Sequence, residues 1–187
     1  MLLSQIVKST LRSNEIINHI LDLTRARFGS GLPIIRVPMN FGLVARKMIG
    51  EMRIAHPTRE FVIDILGDTE GEWDEARIGQ VFSNLLSNAV QYSFVDTPIS
   101  VAINGETKDV KLSVHNQGIP ISPDKTERIF YSLTRGAAEN GQKQPRSTNL
   151  GLGLYITKEI VTAHGGTIDV ISTEKGGTTF SARFPRS

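Results

Sequence analysis

The chain has 187 residues, 39% of them hydrophobic, and its 21 basic and 19 acidic side chains leave a formal net charge of +2. That length and apolar content suit one substantial α/β domain with an appendage, and a charge so nearly even, not gathered into one block, gives no call for a nucleic-acid partner. The absence of cysteine excludes disulfides, thiolate metal sites and a cysteine nucleophile. No stretch reaches the length of a membrane span, and the N-terminus lacks the charged-then-apolar order of a signal peptide, so a cytoplasmic setting is expected.

From Leu2 to about Phe28, apolar residues at Leu3, Ile6, Val7, Ile16, Ile17, Ile20, Leu21 and Leu23 follow helical spacing, and Gly29-Ser-Gly31 with Pro33 end the run. Such a helix before a separate domain reads as a packing or dimerisation element, because its apolar stripe needs a partner. Ile34-Ile-Arg-Val37 reads as a short strand. Pro38 and Asn40 open a second helix with apolar positions Phe41, Val44, Met48 and Met52, ending near His56-Pro57 because a residue before proline leaves helical geometry. Glu60 to Leu66 is strand-like, Gly67-Asp68 breaks it, and Trp73 begins the next element.

Between Asp74 and about Tyr92, a helix carries Ile78, Val81, Phe82, Leu85, Leu86 and Ala89 on one stripe and Gln80, Asn84, Asn88 and Gln91 on the other. Asparagine is a mediocre helix former because its amide competes for backbone hydrogen bonds. Two at an i, i+4 spacing read either as a solvated face or as two side-chain oxygens aimed into a cleft, where they can hold Mg²⁺ or its waters. Two period-two strands follow, Ile99–Ile103 and Asp109–His115, joined by a turn at Asn104-Gly105. The second runs into Asn116-Gln-Gly118-Ile-Pro120, a loop that offers a polar side chain and a backbone open to close approach.

A short helix is expected from Ser122 towards Ile129-Phe130. Tyr131 to Thr148 has little periodicity and holds Arg135, Lys143 and Arg146 against the single acid Glu139, the composition of a cationic cover for phosphates. Asn149-Leu-Gly-Leu-Gly-Leu-Tyr155 then leads directly into a helix that runs to His164 and Gly165-Gly166. Glycines two residues apart let backbone N–H groups approach a ligand, and the dipole and free amides of a helix start favour an anion there. A terminal hairpin, Thr167–Thr173 and Thr178–Phe184, turns at Gly176-Gly177.

In order along the chain, Asn84-Leu-Leu-Ser-Asn88-Ala, Asn116-Gln-Gly118, Ile129-Phe130, Gly151-Leu-Gly153-Leu and Gly177-Thr-Thr-Phe180 resemble the N, G1, F, G2 and final glycine motifs of the sensor histidine kinase ATP-binding domain. That domain belongs to the ATPase superfamily shared with gyrase, the Hsp90 chaperones and the MutL mismatch-repair proteins. The likeness spans about residues 34 to 186, and residues 2 to 28 resemble the second helix of the family's dimerisation and phosphotransfer hairpin. It implies a two-layer α/β sandwich of the Bergerat type with a mixed sheet, helices on one face and a long N-terminal helix. The implied units are residues 1–30, part of the hairpin, and 31–187, the ATP-binding unit.

The same resemblance implies ATP and Mg²⁺ as cofactors, transfer of the γ-phosphate to a histidine on a hairpin helix mostly absent from this chain, a response regulator as partner and a homodimer through the N-terminal helix. Carried over by motif position, Asn84 and Asn88 are the implied catalytic side chains, with Asn88 the Mg²⁺ ligand. Gln91, Tyr92, Asn116, Gly118, Ile121 and Phe130 would line the nucleotide. Arg135, Leu150, Gly151, Leu152, Gly153, Leu154 and Thr179 would complete the site. An amide cannot act as general base, which suits transfer to an imidazole, already nucleophilic when neutral, by positioning and charge neutralisation.

Three positions depart from the family pattern. Asn116 stands where an aspartate usually accepts from the adenine amino group, which gives up charge-assisted strength. Gln91-Tyr92 replaces a common basic residue, and Leu133 a second phenylalanine. The Asn form of G1 with Gln in the N box is similar to the kinase modules of bacterial phytochromes. None of His19, His56, His115 or His164 has the His-Glu or His-Asp context of a phosphoacceptor, and each reads as structural or surface. The alternatives are a degenerate, non-catalytic nucleotide-sensing module of the same fold and a stand-alone kinase of the anti-sigma type, which the N-terminal helix speaks against. A dinucleotide oxidoreductase is disfavoured because no strand immediately precedes Gly151.

Overall fold

The computed structural model describes residues 21–22, 31–126, 128–131 and 152–186. A five-stranded sheet carries three helices on one face. Its strands are β2 (Phe61–Gly67), β4 (Ile99–Gly105), β5 (Asp109–Asn116), β7 (Gly177–Pro185) and β6 (Thr167–Thr173), in the spatial order β2-β4-β5-β7-β6. Only β2 and β4 are parallel, as they must be when a crossover joins them. The other neighbours are antiparallel, with Val114 opposite Val101 on one side and Phe180 on the other. Alternation does the sorting: Val110, Leu112, Val114 and Asn116 point to the helices and are buried, and Lys111, Ser113 and His115 take the opposite face.

The helices are α1 (Phe41–Ala55), α2 (Glu75–Tyr92) and α4 (Gly153–Ala163), with a single turn, α3 (Pro123–Thr126), before the 128–131 segment. The stripe expected on α2 is buried in full: Ile78, Val81, Phe82, Leu85, Leu86 and Ala89. Asn40 caps α1, accepting from the Leu43 N–H at 3.0 Å, and Asp74 caps α2, accepting from Arg77 N–H at 3.1 Å; each cap contributes about 1 kcal/mol. Phe41 centres an aromatic cluster, 5.5 Å edge-on from Trp73 and 5.3 Å from Phe184. Burying a ring of that size contributes about 3 kcal/mol. The sandwich expected from the resemblance is the fold observed.

Several boundaries differ from expectation. The first strand, β1, is Val37–Asn40, shifted towards the helix from Ile34–Val37. It pairs with β3 (Glu70–Trp73), which places Trp73 at the end of a strand rather than at the start of an element. Glu70-Gly-Glu-Trp carries little apolar alternation, so this strand has no local signature and forms because β1 supplies its ladder. The β4–β5 turn is not at Asn104-Gly105, since both residues belong to β4, with Gly105 paired to Gly67 and to Val110. The chain reverses at Glu106–Lys108, with Glu106 N–H donating to Asp109 O at 2.8 Å. The parallel ladder with β2 outweighs the local turn preference. Of the expected N-terminal helix, only Leu21 and Asp22 lie among the described residues; both are helical.

Candidate functional site

α2 and α4 run antiparallel, so the middle and end of α2 lie beside the start of α4. Asn84 is 8% exposed, and its Nδ2 donates to Gly153 O at 3.0 Å and to Thr157 Oγ1 at 3.3 Å. Asn88, one turn on and so about 6 Å further along the axis, is half-buried and has no side-chain hydrogen-bond partner among the described residues. Gln91 is half-buried and Tyr92 exposed. At the start of α4, Leu152 takes the cap position and offers no side-chain hydrogen bond. Its orphan N–H groups, with the positive end of the dipole, have no side-chain cap among the described residues.

The 116–121 loop closes the other side. Asn116, at the end of β5 and 2% exposed, lies on the helix-facing side of the sheet opposite Thr178. Gly118 forms a bridge with Ser93, and any Cβ there would overlap the Tyr92 carbonyl; glycine lets the loop lie against the end of α2. Phe94 N–H donates to Gln117 O at 2.8 Å. Arg59 holds that corner from β2's side, donating to the carbonyls of Phe94 at 2.8 Å and Val95 at 2.6 Å and to the Ser93 hydroxyl. Ile121 N–H donates to Ser172 Oγ at 2.9 Å, which is bonded to Thr178 Oγ1 at 2.7 Å.

One carried-over residue is placed away from this cleft. Thr179 lies on the opposite face of the sheet, its Oγ1 2.9 Å from His115 Nδ1. Strand alternation from Phe180 gives the helix-facing place to Thr178, which is 5% exposed. Phe130 is 8% exposed and packs edge-on against Phe180 at 6.1 Å, so it anchors the 128–131 segment to the core. Leu152 is buried and Leu154 packs against the core. Arg135, Leu150 and Gly151 lie outside the described residues. Sequence reasoning missed Thr157 and Arg59. A threonine one turn into a helix behind a glycine loop was a signal for the first; nothing local pointed to the second.

His164 is structural. It is fully buried, its Nε2 accepts from the Asp74 N–H at 3.1 Å, and its Nδ1 therefore carries the proton and donates to Ile160 O at 2.8 Å. Burial lowers its pKa from the ordinary 6.5, which keeps the ring neutral.

Residues 73–187 match the family model for the histidine kinase-, DNA gyrase B- and HSP90-like ATPase. The chain belongs to that family. Within it, this ATPase domain is the catalytic domain of the sensor histidine kinases. The chain is 32% identical over 162 residues to a bacteriophytochrome of Pseudomonas aeruginosa, covering 87% of this chain and 22% of that protein. It is 33% identical over 175 residues to the adaptive-response sensory kinase SasA of Trichormus variabilis, covering 89% and 42%. The chain thus spans well under half the length of these relatives. Among solved structures, the catalytic domain of histidine kinase ThkA superposes with a TM-score of 0.66 at 26% identity, covering 81% of this chain and 98% of that one. ThkA in complex with the response regulator protein TrrA gives 0.70 at 26% identity, covering 97% and 49%. Among the described residues no helix is long and apolar enough to cross a membrane.

Proposed function

We propose that this chain binds Mg²⁺-ATP in the cleft between α2, the 116–121 loop and the start of α4, and acts as the catalytic part of a protein-histidine kinase. The observation that carries the reading is a helix start with no side-chain cap among the described residues, beside a helix face that presents Asn88. The first turn of α4 would bind the phosphates through its N–H groups and dipole. The Asn88 amide oxygen would help hold the cation; among the described residues no group of three or more His, Cys, Asp or Glu side chains converges, so the phosphates themselves would supply much of its coordination. Bound Mg²⁺ would neutralise charge on the transferring phosphoryl group. Asn116, buried at the strand end, would accept from the adenine amino group, and the Gly118 backbone would let the flat base approach.

The phosphate would pass to a histidine on a hairpin helix and then to an aspartate of a response regulator. The names of the relatives and the ThkA–TrrA complex support this, as does the placement of the described histidines, of which His115 is bonded to Thr179 and His164 is buried. On this reading residues 1–30 belong to the dimerising hairpin and 31–187 form the ATP-binding unit, working as a homodimer in the cytoplasm. A second reading, a nucleotide-sensing module without transfer, draws on the neutral amide at Asn116. Calorimetric titration of the chain with a non-hydrolysable ATP analogue, with and without Mg²⁺, tests both. Magnesium-dependent binding is expected. Absence of binding at millimolar ligand removes the kinase reading, and binding without transfer to an added hairpin histidine selects the second.

A further inference from the structure

The two helices that frame the cleft are joined by one buried polar triad. Thr157 is fully buried on α4, and its hydroxyl donates to the carbonyl of Gly153, four residues back, at 2.8 Å. Asn84 on α2 directs both Nδ2 hydrogens at the same pair, Gly153 O at 3.0 Å and Thr157 Oγ1 at 3.3 Å. A Cβ at Gly153 would sit 3.4 Å from Asn84 Oδ1, in ordinary contact, so the Asn84 side chain lies directly against the start of α4. Threonine back-bonding of this kind normally competes weakly with the helix ladder. Here the hydroxyl has a second use, because its free lone pair accepts from another helix.

We propose that Asn84 and Thr157 are positioning residues, a clamp that sets the first turn of α4 against the helix face carrying Asn88. The inference rests on the nucleotide reading above and changes the part assigned to Asn84. Its donor hydrogens are committed to protein acceptors, which gives it the part of ordering the phosphate-binding turn and leaves the cation to Asn88. The sidedness of the amide is what matters. A carboxylate in its place would set acceptor against acceptor at Gly153 O, whereas an oxygen ligand of Mg²⁺ would tolerate or welcome the same change.

The test compares Asn84→Asp, Asn84→Ala, Thr157→Val and Thr157→Ser in the full chain by calorimetric affinity for a non-hydrolysable Mg²⁺-ATP analogue, with thermal melts to establish folding. Thr157→Val is expected to weaken binding about tenfold, the usual scale for a supporting hydrogen bond behind a metal or phosphate site. Thr157→Ser should stay within about twofold of the parent, and Asn84→Asp should bind no better than Asn84→Ala. An Asn84→Asp variant that binds as tightly as the parent overturns the clamp and returns Asn84 to the cation. Parent-like affinity in Thr157→Val overturns it as well, and that pair decides alone if the Asn84 variants do not fold. Should the parent itself bind no nucleotide, the functional reading fails, and hydrogen exchange at residues 153–157 without ligand decides the clamp: faster exchange in Thr157→Val than in Thr157→Ser upholds it, and equal rates refute it.

Discussion

The two ends of the α2/α4 pair treat their polar groups in opposite ways. At one end Asp74 caps α2 and also accepts from the Ile35 N–H at 3.0 Å; His164 closes α4 against the Asp74 backbone; and the Arg36 guanidinium donates to the His164 carbonyl at 3.0 Å. Trp73, fully buried beside them, donates from its indole to Pro185 O at 2.7 Å. Each of these side chains finds a partner inside the protein, which is what stability asks of a buried polar group. Among the described residues at the other end, α4 begins with no side-chain cap and Asn88 has no side-chain hydrogen-bond partner. Bonding capacity left over there is available to a ligand, whose binding would add to the stability of the folded chain.

If that division holds, changes at the closed end should move stability and leave nucleotide affinity alone, and changes at the open end should do the reverse. The largest effect is expected from His164→Ala, which empties a buried ring site and strands the Asp74 N–H; chemical denaturation should record a loss of about 3 kcal/mol. The affinity of the folded protein should be unchanged, and a parallel fall in affinity would mean the two ends are coupled. Asn88→Ala should lower Mg²⁺-dependent affinity about tenfold or more, with stability within about 0.5 kcal/mol of the parent. Unchanged titration curves would remove Asn88 from the site.

A smaller change is expected at Asn116. Restoring a carboxylate with Asn116→Asp should keep adenine binding or tighten it by up to about fivefold, since a charge-assisted hydrogen bond gains about 1 kcal/mol over a neutral one. A clear loss would show that the amide is specifically required. The smallest effect is the pH dependence set by His164. Its pKa is lowered in the folded chain, so the unfolded chain takes up a proton first as pH falls. Stability from this group is complete above about pH 6.5 and is lost as pH drops below that value towards the folded pKa. Melting temperature measured across that range should fall in the parent and fall less in His164→Gln.

Asn40 and Asp74 were legible as helix starts because a cap is a local event, one side-chain oxygen and an N–H three residues on. The stripe of α2 was legible because a helix buries whatever its 3.6-residue period places on one side. β3 was not, since Glu70–Trp73 forms a strand only where β1 lies next to it. Thr179 was misplaced for a related reason. A motif fixes a position in the chain, but the pleat decides which of two adjacent threonines faces the helices, and Phe180 settles that in favour of Thr178.

The sequence by itself determined the family, the order of the glycine and asparagine motifs, and the helices and strands whose apolar periods are strong, because these depend on neighbours within a few residues. Only the tertiary structure decided that Asn84 turns its donors to Gly153 and Thr157, that His164 is a buried neutral latch on Asp74, and that Arg59 holds the 93–95 corner. Those bonds join residues between 34 and 90 positions apart. No local preference encodes them: packing the helices on the sheet brings the groups together, and for Asn84 and His164 it does so in the interior, where a polar atom needs a partner.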